Sequence, residues 1–172
     1  RRSSDLTSSQ FIDIYTNTFT ALNNSTYTDI PMVTTVYKDS LFNFTSPSAT
    51  VGVTTTGTYL VSAQITFQRN VAGGTNSNGK FRLVDQSGTP ITGTLTGSQY
   101  LTVGTGLANL TTNTWAGLIN ITGGTGSIKI QAIIESGTGT VQAKGSLLIM
   151  SIDTTVFPNQ TNLSLTSTSN QL

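Results

Sequence analysis

Apolar and polar residues alternate along much of this chain, most clearly from Thr54 to Asn70. Five apolar residues of that stretch share one side: Tyr59, Val61, Ala63, Ile65 and Phe67. Ser62, Gln64, Thr66 and Gln68 fall on the other side. A period of two places alternate side chains on opposite faces of an extended chain. The pattern therefore predicts a long β-strand with one buried face.

Shorter segments repeat the alternation. Near the start, Ile12 and Ile14 alternate with Phe11, Asp13 and Tyr15. Further inward-facing sets are predicted at Phe42 and Phe44, at Phe81 and Leu83, at Trp115, Gly117, Ile119 and Ile121, and at Ile128, Ile130, Ala132 and Ile134. The segment IPMVTTVY is expected to place Ile30, Met32, Thr34 and Val36 on one face, with Pro31 displacing the start of that strand toward a sheet edge.

The last apolar segment, GSLLIMSID, is apolar on both faces. Leu148, Met150 and Ile152 alternate with Leu147 and Ile149. Strands that are buried on both sides have this composition.

Glycine-rich stretches separate these segments and predict turns. They lie at Gly73-Gly74, Gly123-Gly124 and Gly137–Gly139. No window has a helical period of 3.6, and residues 92–113 are too weakly patterned to divide. Roughly eight to ten short strands joined by glycine-rich turns predict an all-β fold, a β-sandwich or jelly roll. We expect a polar N-terminal arm at 1–10, the jelly roll at 11–153 and a polar C-terminal tail at 154–172.

Charge is scarce, at 9% of residues, and the net charge is +1. The basic residues form no run, which argues against a nucleic-acid partner. The longest uniformly apolar run, Leu147–Met150, is far shorter than the ~20 residues of a membrane-spanning helix, so no membrane insertion is expected.

Catalytic chemistry has few candidates in this composition. The chain has no His and no Cys, which removes His-based triads and thiolate nucleophiles. The carboxylates show no paired or metal-binding spacing. They are Asp5, Asp13, Asp29, Asp39, Asp85, Glu135 and Asp153. We expect no enzyme activity, no catalytic residue, no metal and no cofactor. Trp115 is interpreted as a core residue, with a sugar-stacking platform as the alternative.

The stretch GTYLVSAQITFQRNVAGG resembles the central strand of the tumour-necrosis-factor/C1q-like jelly-roll family. The Gly-x-Tyr start corresponds to Gly57 and Tyr59, followed by alternating apolar residues. The segments around it are similar to the family in order: IPMVTTVYKDSLFNFTSPSATVGV, KFRLVDQSGTPI, WAGLINITGGTGSIKIQAII and KGSLLIMSI. The likeness covers approximately Phe11 to Asp153.

The resemblance implies a homotrimer in which three jelly rolls pack around a threefold axis. It places Tyr59, Val61, Leu148 and Met150 at the subunit interface. The alternative is that the strand of Tyr59 and the strand of Leu148 fill the core of a monomeric sandwich.

Two hypotheses of function follow. The first is a structural, non-enzymatic virion protein, namely a minor capsid, spike or fibre-head protein that contacts other capsid or fibre proteins. Its outer loops, Val71–Lys80 and Thr94–Asn113, would face a host receptor or glycan through Asn76, Asn78, Gln99 and Tyr100. The second is an adhesion or ligand module on a bacterial, spore or secreted filament, located extracellularly or on a cell surface. Fold alone does not choose between them.

Overall fold

A computed structural model of the chain describes residues 10–69, 74–102, 109–122, 126–137 and 139–152. The predicted arm at 1–10, apart from Gln10, and the predicted tail at 154–172 lie outside the described residues. Within the described ranges all regular structure is β. The twelve strands are β1 (Phe11–Tyr15), β2 (Thr20–Ala21), β3 (Thr28–Asp29), β4 (Thr34–Lys38), β5 (Phe42–Asn43), β6 (Thr50–Val53), β7 (Gly57–Arg69), β8 (Ser77–Val84), β9 (Gln99–Leu101), β10 (Asn109–Ile121), β11 (Gly126–Ser136) and β12 (Val141–Ile152).

The strands form two six-stranded antiparallel sheets. The first sheet has the order β10-β7-β12-β1-β4, with β2 added to β12. The second has the order β5-β6-β11-β8-β9, with β3 added to β11. Sequential strands lie in different sheets at several points, which is the connectivity of a jelly roll. The predicted all-β jelly-roll sandwich is confirmed.

The core lies between the two sheets and is filled by the alternating residues. In β7, Tyr59 to Phe67 point inward at every second position, and all five predicted residues are at most 1% exposed. The predicted inward residues of β8 and β11 are buried as well, and so are Ile119 and Ile121 of β10. Gly117 and Trp115 of the same predicted set are half-buried, and Trp115 packs against this core. Period-two patterning therefore identified the inner face of each long strand.

Val36 departs from the prediction. Ile30 and Met32 are buried, but Val36 is 62% exposed. The chain changes sheets between these residues. The N–H of Ile30 donates to Ile130 in the second sheet, whereas β4 pairs with β1 at the edge of the first. A single alternation cannot run through such a crossing, because the inward direction reverses from one sheet to the other.

The predicted outer loops are shorter than expected. Strand β8 begins at Ser77, inside the predicted loop Val71–Lys80, and 70–73 lies outside the described residues. The predicted loop Thr94–Asn113 contains β9 and the start of β10.

Two buried threonines close one side of the sandwich. The hydroxyl of Thr96 accepts from the N–H of Phe81 and donates to its C=O, both at 3.0 Å. Thr94 makes the same pair of bonds with Leu83, at 3.2 and 3.1 Å. The 93–99 segment also accepts hydrogen bonds from β10, through Trp115 to Gly93 O and Asn113 to Gly97 O. Side-chain hydroxyls thus satisfy β8 backbone groups where a strand partner is absent.

Candidate functional site

The outward side of the first sheet carries a row of apolar side chains. Leu118 lies opposite Leu60, Leu60 opposite Met150, and Met150 opposite Phe11, so four adjacent strands contribute to one line. The ring of Tyr37 stacks on that of Phe11, with centroids 4.3 Å apart. Leu148 lies two residues along β12 on the same side. We call Phe11, Tyr37, Leu60, Leu118, Leu148 and Met150 the apolar face.

The apolar face occupies only one end of the sheet. This is the base end, where β1 begins and β12 ends. Toward the opposite, distal end the same side becomes mainly polar, with exposed Leu110 of β10, opposite Gln68, as an apolar exception. Gln142 donates to Gln68 at 2.8 Å, and the hydroxyls of Thr66 and Thr112 are 3.0 Å apart. Water can solvate the distal half at little cost, whereas the apolar half gains free energy when a partner covers it.

The predicted interface residues divide between two environments. Tyr59 and Val61 are 1% and 0% exposed and point into the core, where the hydroxyl of Tyr59 donates to Thr55 O at 2.9 Å. Their side chains have no surface to offer a second subunit, which corrects that part of the prediction. Leu148 and Met150 lie on the apolar face, half-buried in the single subunit. The outward residue that neighbours Tyr59 and Val61 in sequence is Leu60.

Large exposed apolar side chains cluster at two opposite sides of the sandwich. Among the described residues, Val33, Val36 and Tyr37 lie on or beside edge strand β4. Leu95, Leu110 and Leu118 lie on edge strand β10 or the segment beside it. Tyr100, the remaining large exposed apolar residue in the described ranges, is on the second sheet. Both edges of the first sheet are therefore apolar, and their compositions differ.

The outward side of the second sheet is polar and internally bonded. Lys80 forms an ion pair with Glu135, which also accepts from the Ser98 hydroxyl. The hydrogen bond that Lys80 donates to Glu135 is the main reason why the pKa of Lys80 is raised. Desolvation by burial opposes this rise.

A second set of bonds continues the network toward the base end. Gln131 accepts from Arg82 at 2.9 Å and donates to Asp29 at 2.7 Å, and Lys129 pairs with Asp29 at 3.1 Å. The guanidinium of Arg82 lies 3.6 Å from the centre of the Tyr27 ring. The two sheets thus present different outward surfaces, one apolar at the base end and one mainly polar, with Ile133 as an apolar residue opposite Lys80.

Three of the four predicted binding residues come together at the distal end of this polar surface. Asn78 of β8 lies opposite Tyr100 of β9. Asn76 donates from its side-chain amide to the Tyr100 hydroxyl. Gln99 belongs elsewhere, because alternation turns it inward with Leu101, and it accepts from Thr111 at 3.1 Å. Sequence reasoning missed Glu135, Lys80 and Ser98, since only the pairing of β8 with β11 brings Glu135 to this surface.

A cleft of about 550 Å³ opens between the sheets at the base end, beneath residues 85–92. Ile119, Ile121 and Ile128 line its inner part. The carboxylate of Asp85 accepts from the N–H groups of Ser87 and Thr89, at 2.8 and 2.9 Å, and so holds the turn.

The described ranges contain no group of three His, Cys, Asp or Glu residues that could hold a metal ion. None of their segments forms a helix long and apolar enough to cross a membrane.

Comparison with known proteins supports the fold. No protein-family model matches the sequence, and no curated protein is similar to it. Among solved structures, the globular domain of zebrafish complement 1qA protein is similar with a TM-score of 0.54 and 7% identity, over 84% of this chain and 98% of that one. Murine APRIL at pH 5.0 is similar with a TM-score of 0.50 and 14% identity, over 84% and 99%. The chain has the jelly-roll fold of tumour necrosis factor and C1q domains.

Proposed function

We propose that the chain is a non-enzymatic assembly head that forms a homotrimer through the first sheet and presents the second sheet outward. The apolar face is the observation that carries this proposal. Four strands align apolar side chains on a surface that would otherwise contact water, and burial contributes ~25 cal/mol for each Å² of apolar surface.

The two apolar edges support a ring. The two edges carry different apolar side chains. The β4 edge has Val33, Val36 and Tyr37, whereas the β10 edge has Leu95, Leu110 and Leu118. Contact between unlike surfaces is heterologous, and it closes into a ring when the rotation between subunits is a simple fraction of a turn. Three subunits is the number that the tumour-necrosis-factor/C1q-like fold favours.

The second sheet supports the outward placement. Its lysines are already paired with carboxylates, Lys80 with Glu135 and Lys129 with Asp29. Burying these pairs in an interface would cost desolvation energy that the pairing does not return.

The specific setting that we propose is a virus particle, as a minor capsid, spike or fibre-head protein beside other capsid or fibre proteins. Low charge, the absence of Cys and a Thr-, Asn- and Gly-rich surface support this choice. The same trimer would also serve as an adhesion or ligand module outside or on a cell. Antibodies against the purified chain separate the two settings, because they label intact particles in the first and cell surfaces or filaments in the second.

The assembly is tested by the solution mass of the chain, measured by light scattering. We expect a trimer for the unchanged chain and a monomer for Met150→Glu, which places a charge in the apolar face. The matched control is Ile133→Glu, which places the same charge on the outward side of β11 and should remain trimeric. A monomeric unchanged chain, or equal masses for the two variants, contradicts the proposal.

A further inference from the structure

Tyr100 and the polar groups around it form a compact surface at the distal end of the second sheet. We propose that this surface, composed of Tyr100, Asn76, Asn78, Ser98, Lys80 and Glu135, binds a neutral carbohydrate. The inference rests on the proposed function, since it names the partner of the outward surface of the assembled head.

The Tyr100 ring is exposed but held in place. Its side chain is 58% exposed, although the next residue in β9, Leu101, is 1% exposed and anchors the strand in the core. Asn76 donates to the Tyr100 hydroxyl and so fixes the outer edge of the ring. An aromatic ring that is already ordered loses little conformational entropy on binding and offers a flat apolar surface. The C–H face of a pyranose ring matches such a surface.

The neighbouring side chains supply hydrogen bonds of both kinds. Asn78 lies directly opposite Tyr100, and its amide carries two donors and an acceptor. Glu135 adds a carboxylate acceptor and Lys80 an ammonium donor. Lys80 donates to Glu135, which also accepts from the Ser98 hydroxyl. A sugar hydroxyl group can donate one hydrogen bond and accept another. Adjacent hydroxyls of one sugar ring can therefore bond to both the donors and the acceptors of this surface.

The charge of the surface selects a neutral sugar. Lys80 and Glu135 are ion-paired and cancel, so an anionic sugar finds no unbalanced positive charge. The arrangement does not fit a protein partner, which needs a well-packed apolar centre, because Tyr100 is surrounded by polar groups. It does not fit nucleic acid, which needs excess positive charge.

The position is suited to contact with a partner. Asn78 and Tyr100 lie where β7 ends and β8 begins, and Phe11 and Ile152 lie at the other end of the sandwich. A head held at the end of the sandwich where β1 begins and β12 ends would therefore direct this surface away from its support.

The experiment uses the full chain on an array of neutral hexose, N-acetylhexosamine and fucose oligosaccharides with their sialylated and sulfated counterparts. The strongest binder is then titrated by calorimetry. We expect binding to a neutral sugar, about tenfold weaker or more for Tyr100→Ala and largely retained for Tyr100→Phe. Asn78→Ala should weaken binding several-fold. Asn43→Ala, the same substitution at the opposite edge of the second sheet, should not.

Several results overturn the inference. They are no sugar binding, binding restricted to anionic sugars, or binding that Tyr100→Ala leaves unchanged. Light scattering of the same samples keeps the two proposals apart. A trimer without sugar binding rejects only the carbohydrate site, whereas a monomer that binds a neutral sugar rejects only the assembly.

Discussion

Leu60 and Met150 lie directly opposite each other on β7 and β12, on the side of the first sheet that points away from the core. Tyr59 and Val61, the chain neighbours of Leu60, point the other way and are buried. Adjacent residues of one strand thus belong to two surfaces with different roles. One set forms the core of the subunit, and the other set forms the surface that we propose for assembly.

Substitutions at Val61 and Leu60 should separate these roles. Val61→Ala removes two methyl groups from the core and should lower the free energy of unfolding by about 2 kcal/mol without changing the oligomer. Leu60→Asn should weaken the oligomer and change the unfolding of the monomer by less than about 0.5 kcal/mol. Urea unfolding at fixed protein concentration and light scattering measure the two quantities. Dissociation caused by Val61→Ala would show that the surfaces are not independent.

Thr96→Val tests the hydroxyl that replaces a strand partner. Valine has nearly the same shape but leaves the N–H of Phe81 buried without an acceptor, and an unsatisfied buried group costs about 1–3 kcal/mol. The control is Thr112→Val, because that hydroxyl contacts Thr66 at an exposed position where water can replace it. Thermal unfolding should show the loss for Thr96→Val alone, and similar losses for both would argue against this role.

Gly145→Ala should destabilise the pairing of β12 with β7. A Cβ at this position would lie 2.4 Å from the backbone oxygen of Gln64 and 2.5 Å from Cδ1 of Ile65, so the backbone must move. Overpacking of this kind costs about 1–3 kcal/mol. At Gly57 a Cβ would lie 3.7 Å from the Tyr59 ring, an ordinary contact. Gly57→Ala should therefore unfold at the same denaturant concentration as the unchanged chain, or at a higher one.

The Lys80–Glu135 pair should make stability depend on pH in the alkaline range. The hydrogen bond to Glu135 raises the pKa of Lys80 in the folded chain. The contribution of this interaction to the free energy of unfolding is therefore complete below the unfolded pKa of lysine, about 10.4. It is lost as the pH rises through the pKa of Lys80 in the folded chain. For this partly exposed pair the contribution at neutral pH should be at most about 1 kcal/mol.

Lys80→Met measures this contribution when its urea unfolding is compared with that of the unchanged chain at neutral and at strongly alkaline pH. The difference should shrink to zero at the higher pH. The control is Lys38→Met, since Lys38 forms no ion pair within the described part of the chain. A difference for Lys80→Met that persists at high pH would assign the effect to packing of the lysine stem.

Local patterning determined much of this fold in advance. Alternation identified the buried sides of the long strands, and glycine-rich stretches marked their ends. For example, Ile128 to Ile134 and Tyr59 to Phe67 are buried as predicted. This works because the side of an extended chain on which a residue lies depends only on its position modulo two, and burial of one side requires apolar residues there.

Tertiary structure decided which strands are neighbours, and both proposed surfaces depend on those pairings. Val36 is exposed because the chain changes sheets after Met32, and Gln99 turns inward although Tyr100 beside it faces out. The apolar face requires four strands in register, and the distal polar surface requires Glu135 of β11 beside Lys80 of β8. Strand register arises from hydrogen bonds between distant segments. No local period encodes these pairings, so the sequence determined the inner side of each strand, and only the folded chain determined the outer surfaces.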